Sequence, residues 1–207
     1  MIDYSAYGGR RRRMSLISLL LSCVSFILIA DATKQQLCSR GQDYLVLGFD
    51  DITLAPSDFT RSVPWPYRDF LFTRGGAWMD KHVPVTNTTG SPYYGTSPSS
   101  PPNVIITTAE SLTLEQAAAK GNRTFQLLSV SMTSIWIHNM GVFIQMLRNG
   151  TVFHTMTVSL PAQVRQSILI DVPTNADKVV IGCTDQAYDR CAHIAYDDFA
   201  LCYKHSK

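Results

Sequence analysis

Apolar and polar positions alternate in short runs along most of this chain, with the two-residue period of strands that bury one face. The first run, Tyr44–Ile52, sets Leu45, Leu47 and Phe49 against Val46, Gly48 and Asp50. Phe70–Thr73 and Gly76–Asp80 read as short strands either side of a glycine pair, and Val104–Thr107 as another. From Thr124 onward the pattern is dense: Phe125–Ile137, Val142–Leu147, Val152–Val158, Ser167–Val172, Lys178–Cys183 and finally His193–Tyr203. Asn149-Gly150 lies between two of these runs, the strongest short-range signal for a hairpin. One stretch breaks the period. Thr113–Lys120 carries a Thr113/Gln116 capping box and has Gly121 at the C-cap position, which predicts a helix of about two turns. Pro56, Pro64 and Pro66 make 53–69 a long loop, and the turn formers of 83–103 make a second. Many short strands and little helix predict an all-β fold, a β-sandwich or jelly roll with one short helix.

Ahead of this domain Arg10–Arg13 precede an uncharged run, Met14–Ala30, that closes in Ala30-Asp31-Ala32. Basic, apolar and small-x-small segments in that order form a secretory signal, with cleavage expected after Ala32. An uncleaved signal anchor is the alternative, since the run approaches the length of a spanning helix. The organisation expected is a signal peptide over 1–32, a polar lead-in over 33–43, one sandwich domain over 44–203 and a short tail over 204–207. The charge changes accordingly. Without residues 1–32 the basic residues fall from 18 to 14 and the acidic ones from 16 to 14, so the formal charge of +2 belongs to the signal. No basic stripe remains to hold nucleic acid. No membrane segment remains after cleavage.

Cysteines and sequons agree with an oxidising, extracellular location. The mature chain keeps Cys38, Cys183, Cys191 and Cys202, which allow three pairings. Cys183–Cys191, closing a short loop, and Cys38–Cys202, joining the approach of the first strand to the end of the last, are the favoured ones. Asn87, Asn122 and Asn149 each begin an Asn-x-Thr acceptor, predicting a glycoprotein with those sites on its surface.

Candidate chemistry is sparse. The two glutamates, Glu110 and Glu115, do not form a facing pair, the five histidines have no ligand spacing, and no nucleophile, zinc or phosphate-loop motif occurs. The expectation is a protein without catalysis. Two Asp-Asp steps, Asp50-Asp51 and Asp197-Asp198, interrupt the first and last apolar runs. A carboxylate there must be solvated, hydrogen-bonded or bound to a cation. Their position predicts that the terminal strands lie side by side, where oxygen ligands from several segments could take a hard cation such as Ca²⁺. Hydrogen bonding to a loop backbone or an arginine is the alternative. Aromatic side chains supply the third constellation. Trp65, Tyr67, Tyr93 and Tyr94 lie in loops and suit the C–H faces of sugar rings, whereas Trp78 and Trp136 read as core.

Gly48-Phe-Asp-Asp-Ile52, the proline-aromatic loop, Gly76-Ala-Trp78, the hairpin Phe143–Val152 and Ala195-Tyr-Asp-Asp-Phe-Ala-Leu201 together resemble secreted galactose-binding-like jelly-roll domains, carbohydrate-binding modules among them. The resemblance spans about residues 44–203. It implies a structural Ca²⁺ near the terminal strands, at Asp198 with Asp50 or Asp51. The disulfides, the sequons and the Ser-Pro loop depart from that group. The reading is a secreted, non-catalytic glycoprotein that binds an extracellular glycan or cell-surface component. The alternative is a structural or host-interacting protein that makes protein contacts. Nothing in the pattern sets an oligomeric state.

Overall fold

Twelve strands account for the alternation in the computed structural model, which describes residues 37–54, 60–74, 84–87, 103–107, 111–117, 124–184 and 193–204. In chain order they are β1 (Asp43–Leu47), β2 (Thr60–Ser62), β3 (Phe70–Arg74), β4 (Pro84–Asn87), β5 (Asn103–Thr107), β6 (Leu112–Gln116), β7 (Phe125–Ser134), β8 (Met140–Arg148), β9 (Thr151–Leu160), β10 (Gln166–Leu169), β11 (Lys178–Cys183) and β12 (Ile194–Tyr203). Residues 1–38 group as one unit and Ser39–Lys207 as another, and the fold below is that of the second. The expected signal peptide and its cleavage site lie outside the described residues.

All twelve strands pair antiparallel. One sheet has seven strands, ordered β10-β7-β12-β5-β4-β2 with β1 also on β12, and the other has five, ordered β3-β6-β11-β8-β9. Strand β12 is central to the first. Along one edge it pairs with β7 over its whole length, while its other edge is divided: Ile194–Tyr196 face β5 and Phe199–Tyr203 face β1. The first and last strands are therefore neighbours, as the acidic steps predict. The division falls at Asp197-Asp198. There the register with β7 shifts and Asp198 takes a φ of 43°, a β-bulge that bends the strand as its partner changes.

Between the sheets lies one core, and its aromatic part is built from the turn after β1, the loop before β3, and β3, β7 and β12. The Phe49 ring stacks on Tyr67 at 5.2 Å and meets Phe72 edge-on at 5.3 Å, while Phe72 meets Phe199 at 5.5 Å. Each such ring buries about 150–250 Å². A smaller buried cluster, Val104, Ile106, Ile135 and Ala195, is separate from this core.

The structure corrects three expectations. Residues 112–116 are strand β6, not helix: Leu112, Leu114 and Gln116 are buried while Thr113 and Glu115 are half-buried, and β3 and β11 pair on either side. Two ladders of hydrogen bonds and two buried leucines outweigh a local helix signal worth a few tenths of a kcal/mol per residue. The remainder of the expected helix, 118–120, lies outside the described residues. Strand β2 falls inside the loop expected over 53–69 and β4 inside that expected over 83–103, and β4 joins β2 to β5. The hairpin forms where Asn-Gly places it. Asn149 and Gly150 have φ of 51° and 74°, the two left-handed residues that a type I′ turn requires. The Asn149 sequon is exposed at that tip. Cys38, Cys183 and Cys202 are disulfide-bonded, the first and last to each other; Cys191 and Asn122 lie outside the described residues, as does the placement of the Asn87 side chain.

Candidate functional site

The acidic steps are engaged in the structure. Asp51 sits in the turn after β1, where its Oδ1 accepts the Tyr67 hydroxyl at 2.6 Å and its Oδ2 accepts the Arg68 guanidinium at 2.9 Å. Burial would raise its carboxyl, but the bonds from Tyr67 and Arg68 outweigh that and hold it below the ordinary value. Asp50 accepts the backbone N–H of Asn103 at 3.1 Å, and the buried Asp197 accepts the N–H of Asp198 at 2.9 Å.

Asn103 organises this junction. Only 2% exposed, it donates its amide to the carbonyls of Phe49 and Ile52 at 3.0 and 2.9 Å, which fixes the turn carrying both Asp50 and Asp51. Extending the Ile105↔Tyr196 register brings Asn103 level with Asp198, and extending Leu47↔Phe199 does the same for Gly48. Its side-chain oxygen has no hydrogen-bond partner. A buried, unmatched oxygen on a residue whose backbone N–H is bound by Asp50 is the feature here that suits a hard cation. Asp51, with both oxygens committed to Tyr67 and Arg68, does not. Among the described residues no three His, Cys, Asp or Glu side chains gather around one point.

The loop before β3 presents a tryptophan. Val63 and Tyr67 are each 4% exposed, whereas Pro64, Trp65 and Pro66 between them face solvent, and Trp65 is 51% exposed. The loop is pinned at its far end. Tyr67 exchanges backbone bonds with Phe70 at 2.8 and 2.9 Å, stacks on Phe49 and reaches Asp51, while the Arg68 guanidinium lies 5.7 Å from the Tyr67 ring. Tyr67 is thus removed from the candidate contact residues. Its ring face is taken by Phe49 and its hydroxyl by Asp51, so it supports the loop rather than meeting a ligand. Tyr93 and Tyr94, the other candidates, lie outside the described residues, as does Trp78.

A second aromatic surface was missed by the sequence reading. On the five-stranded sheet Val142, Ile144 and Met146 enter the core, so Phe143, Gln145 and Leu147 face outward. Phe143 is level with Gly182 on β11 and Thr157 on β9. A Cβ on Gly182 would lie 2.6 Å from Phe143 Cζ and 2.9 Å from Cε1, so the ring rests against bare backbone. The next row across the sheet reads Thr73, Thr113, Val180, Gln145 and Thr155. An aromatic ring beside an amide and several hydroxyls offers both the apolar and the polar contacts of a sugar. The signal was present in the sequence, since Phe143 alternates with the core residues of its strand; what was absent was the register that sets a glycine opposite it.

Trp136, expected in the core, lies at the surface instead. It is 50% exposed, and its indole N–H donates to His193 Nδ1 at 3.1 Å. Burial pushes His193 below its ordinary pKa, in keeping with a neutral ring that accepts there.

Fold and site together define a two-sheet antiparallel β-sandwich that presents aromatic side chains from a pinned loop and from one open sheet face. No family model and no curated protein matches the chain. Solved structures do. An arabinose-bound α-L-arabinofuranosidase is 12% identical with a TM-score of 0.46, over 80% of this chain but 27% of that one. This chain therefore spans about a quarter of that enzyme. A family 29 carbohydrate-binding module variant complexed with cellulohexaose is 12% identical with a TM-score of 0.37, over 81% of this chain and 95% of that one. Another variant, complexed with mannohexaose, is 12% identical with a TM-score of 0.35, over 80% and 94%. At such identities and TM-scores these likenesses carry no conclusion about a ligand.

Proposed function

We propose that this chain is a secreted, non-catalytic glycoprotein that binds an extracellular glycan through Trp65, with Phe143 and its polar neighbours as a second contact. The observation that carries the reading is the exposed Trp65 between two buried anchors, Val63 and Tyr67. A half-exposed indole offers an apolar face and a polar N–H to a sugar, and a loop anchored on both sides of it loses little entropy on binding. The signal-like N-terminus, the paired cysteines and the exposed Asn149 support secretion and glycosylation. The test is an array of extracellular oligosaccharides followed by titration of the best binder. Trp65→Ala is expected to weaken binding at least about tenfold, or 1.4 kcal/mol, with the fold intact. An empty array together with an empty cell-wall pull-down would overturn the reading.

We extend the proposal to a structural Ca²⁺ at the β1–β12 junction, held by oxygens of Asp50, Asp198 and Asn103. Its support is the buried, unpartnered Asn103 oxygen, on a side chain that ties the start of β5 to the turn after β1. The ion would neutralise the carboxylates and tie the terminal strands together. Chelation should lower the melting temperature and Ca²⁺ restore it, in the wild type but not in Asp198→Asn. A melting temperature indifferent to chelation would remove the ion and leave the glycan reading standing. Protein contact is the second reading, favoured by the half-exposed Trp136. A protein partner whose binding survives Trp65→Ala and resists sugar competition would establish it.

A further inference from the structure

Among the described residues strand β9 is an edge of the five-stranded sheet, with β8 as its one neighbour there, and it differs from the other edges. Strands β1, β2, β3 and β10 have five, three, five and four residues, and the first three contain Asp43, Arg61 and Arg74. Strand β9 has ten, Thr-Val-Phe-His-Thr-Met-Thr-Val-Ser-Leu, with no Asp, Glu, Lys, Arg, Pro or Gly. Long uncharged edges are the ones that pair with another chain, because nothing in them repels an incoming strand. Val152 and Phe153 at its start are exposed, as are Thr155, Thr157 and Ser159. Phe153 is the extra residue of a bulge, since Met146 faces His154 but Leu147 faces Val152. The regular part of the edge is therefore His154–Leu160.

We propose that β9 is a self-association edge, and that its occupant is β9 of a second copy of this chain, antiparallel about a two-fold axis at Thr157. The residues match under that operation. Thr157 faces Thr157 and Thr155 faces Ser159 on the outer side, while Met156 faces Val158 on the inner side. Over 155–159 hydroxyl meets hydroxyl and apolar meets apolar, the cross-strand pairs that stabilise a sheet; His154 and Leu160 face each other at the two ends, and no like charges are opposed. Beyond the paired segment Val152 and Phe153 of one copy come beside 161 and 162 of the other, two residues from Val164, which is 52% exposed. The Asn149 acceptor stays outside the pairing at the hairpin tip, because position 151 would face 163. The two five-stranded sheets then run on as one, with both Phe143 surfaces on it.

Seven paired residues a side are few against the roughly 1,200–2,000 Å² of a stable interface, so the dimer dissociates on dilution. The experiment is sedimentation of the full-length secreted chain over a concentration series to about 200 µM, a range suited to a dimer this small, combined with cysteine cross-linking. The wild type should shift from monomer to dimer across that series. Thr157→Lys, a surface change that sets two ammonium groups against each other, should remain monomeric, and Leu169→Lys on the β10 edge should dimerise as the wild type does. Thr157→Cys should form a disulfide-linked dimer on mild oxidation, because directly opposed residues have α-carbons about 4.5–5.5 Å apart, within the span of a disulfide. Thr155→Cys should not, as it faces Ser159. A wild type that is monomeric throughout, a Thr157→Lys dimer, or Thr155→Cys cross-linking as well as Thr157→Cys would each overturn the proposal. None of these results depends on whether a glycan binds.

Discussion

The two sheets of this sandwich treat their outer faces differently. In the seven-stranded sheet β5 is buried at every position and β12 at all but Asp198, so its centre is covered on both sides. In the five-stranded sheet β6 and β8 alternate between buried and half-buried. One sheet is a wall of the core; the other keeps a face for solvent. The difference explains why the carboxylates of the terminal strands bond to neighbouring protein groups, while aromatic and hydroxyl groups on the five-stranded sheet face outward.

If that division is right, damage to the buried wall costs stability and damage to the open face costs binding. The largest effect is expected from Phe199→Ala on β12, which removes a ring packed against Phe49, Phe72 and Tyr196. Chemical denaturation should show a loss of about 3–5 kcal/mol. Phe143→Ala on the open face should change stability by less than about 1 kcal/mol while weakening glycan binding. Equal losses in both would break the comparison.

Next in size is Asn103→Ala, which leaves the Phe49 and Ile52 carbonyls without their amide. It should cost about 1–3 kcal/mol, read by the same denaturation experiment. A junction held by the β1–β12 ladder alone would show almost no change.

The smallest effect concerns His193, at the margin of the buried wall. Its folded pKa lies below the ordinary 6.5 because of burial. As pH falls from about 6.5 toward that lower value, the unfolded chain takes up the proton first. Stability is therefore present above pH 6.5 and declines below it, as His193 loses its ability to accept from Trp136. Thermal melts at pH 7 and 5 should show this decline reduced in His193→Asn, which keeps an acceptor and tolerates the φ of 55° but does not titrate. Tryptophan emission should shift in step.

The strands were legible where neighbours in sequence are neighbours in space. The β8–β9 hairpin and the bounds of β11 follow from Asn149-Gly150 and from the Val-Val-Ile run, because turn chemistry and alternation are local. Trp65 was legible too, since two prolines around an aromatic forbid a regular strand. Tyr67, two residues on, was not. Whether it meets solvent or core depends on Phe49 and Asp51, and no local rule couples positions so far apart in the chain.

By itself the sequence determined the all-β class and the placement of the main turns, since these follow from backbone propensity and the two-residue period, while its two Asp-Asp steps pointed to the adjacency of the first and last strands. Only the tertiary structure decided that residues 112–116 are a strand, that Tyr67 is buried and Trp136 half-exposed, and that Phe143 rests on Gly182. Each of those depends on which strand lies alongside, and so on register and burial, which are long-range quantities that local preference worth tenths of a kcal/mol cannot fix.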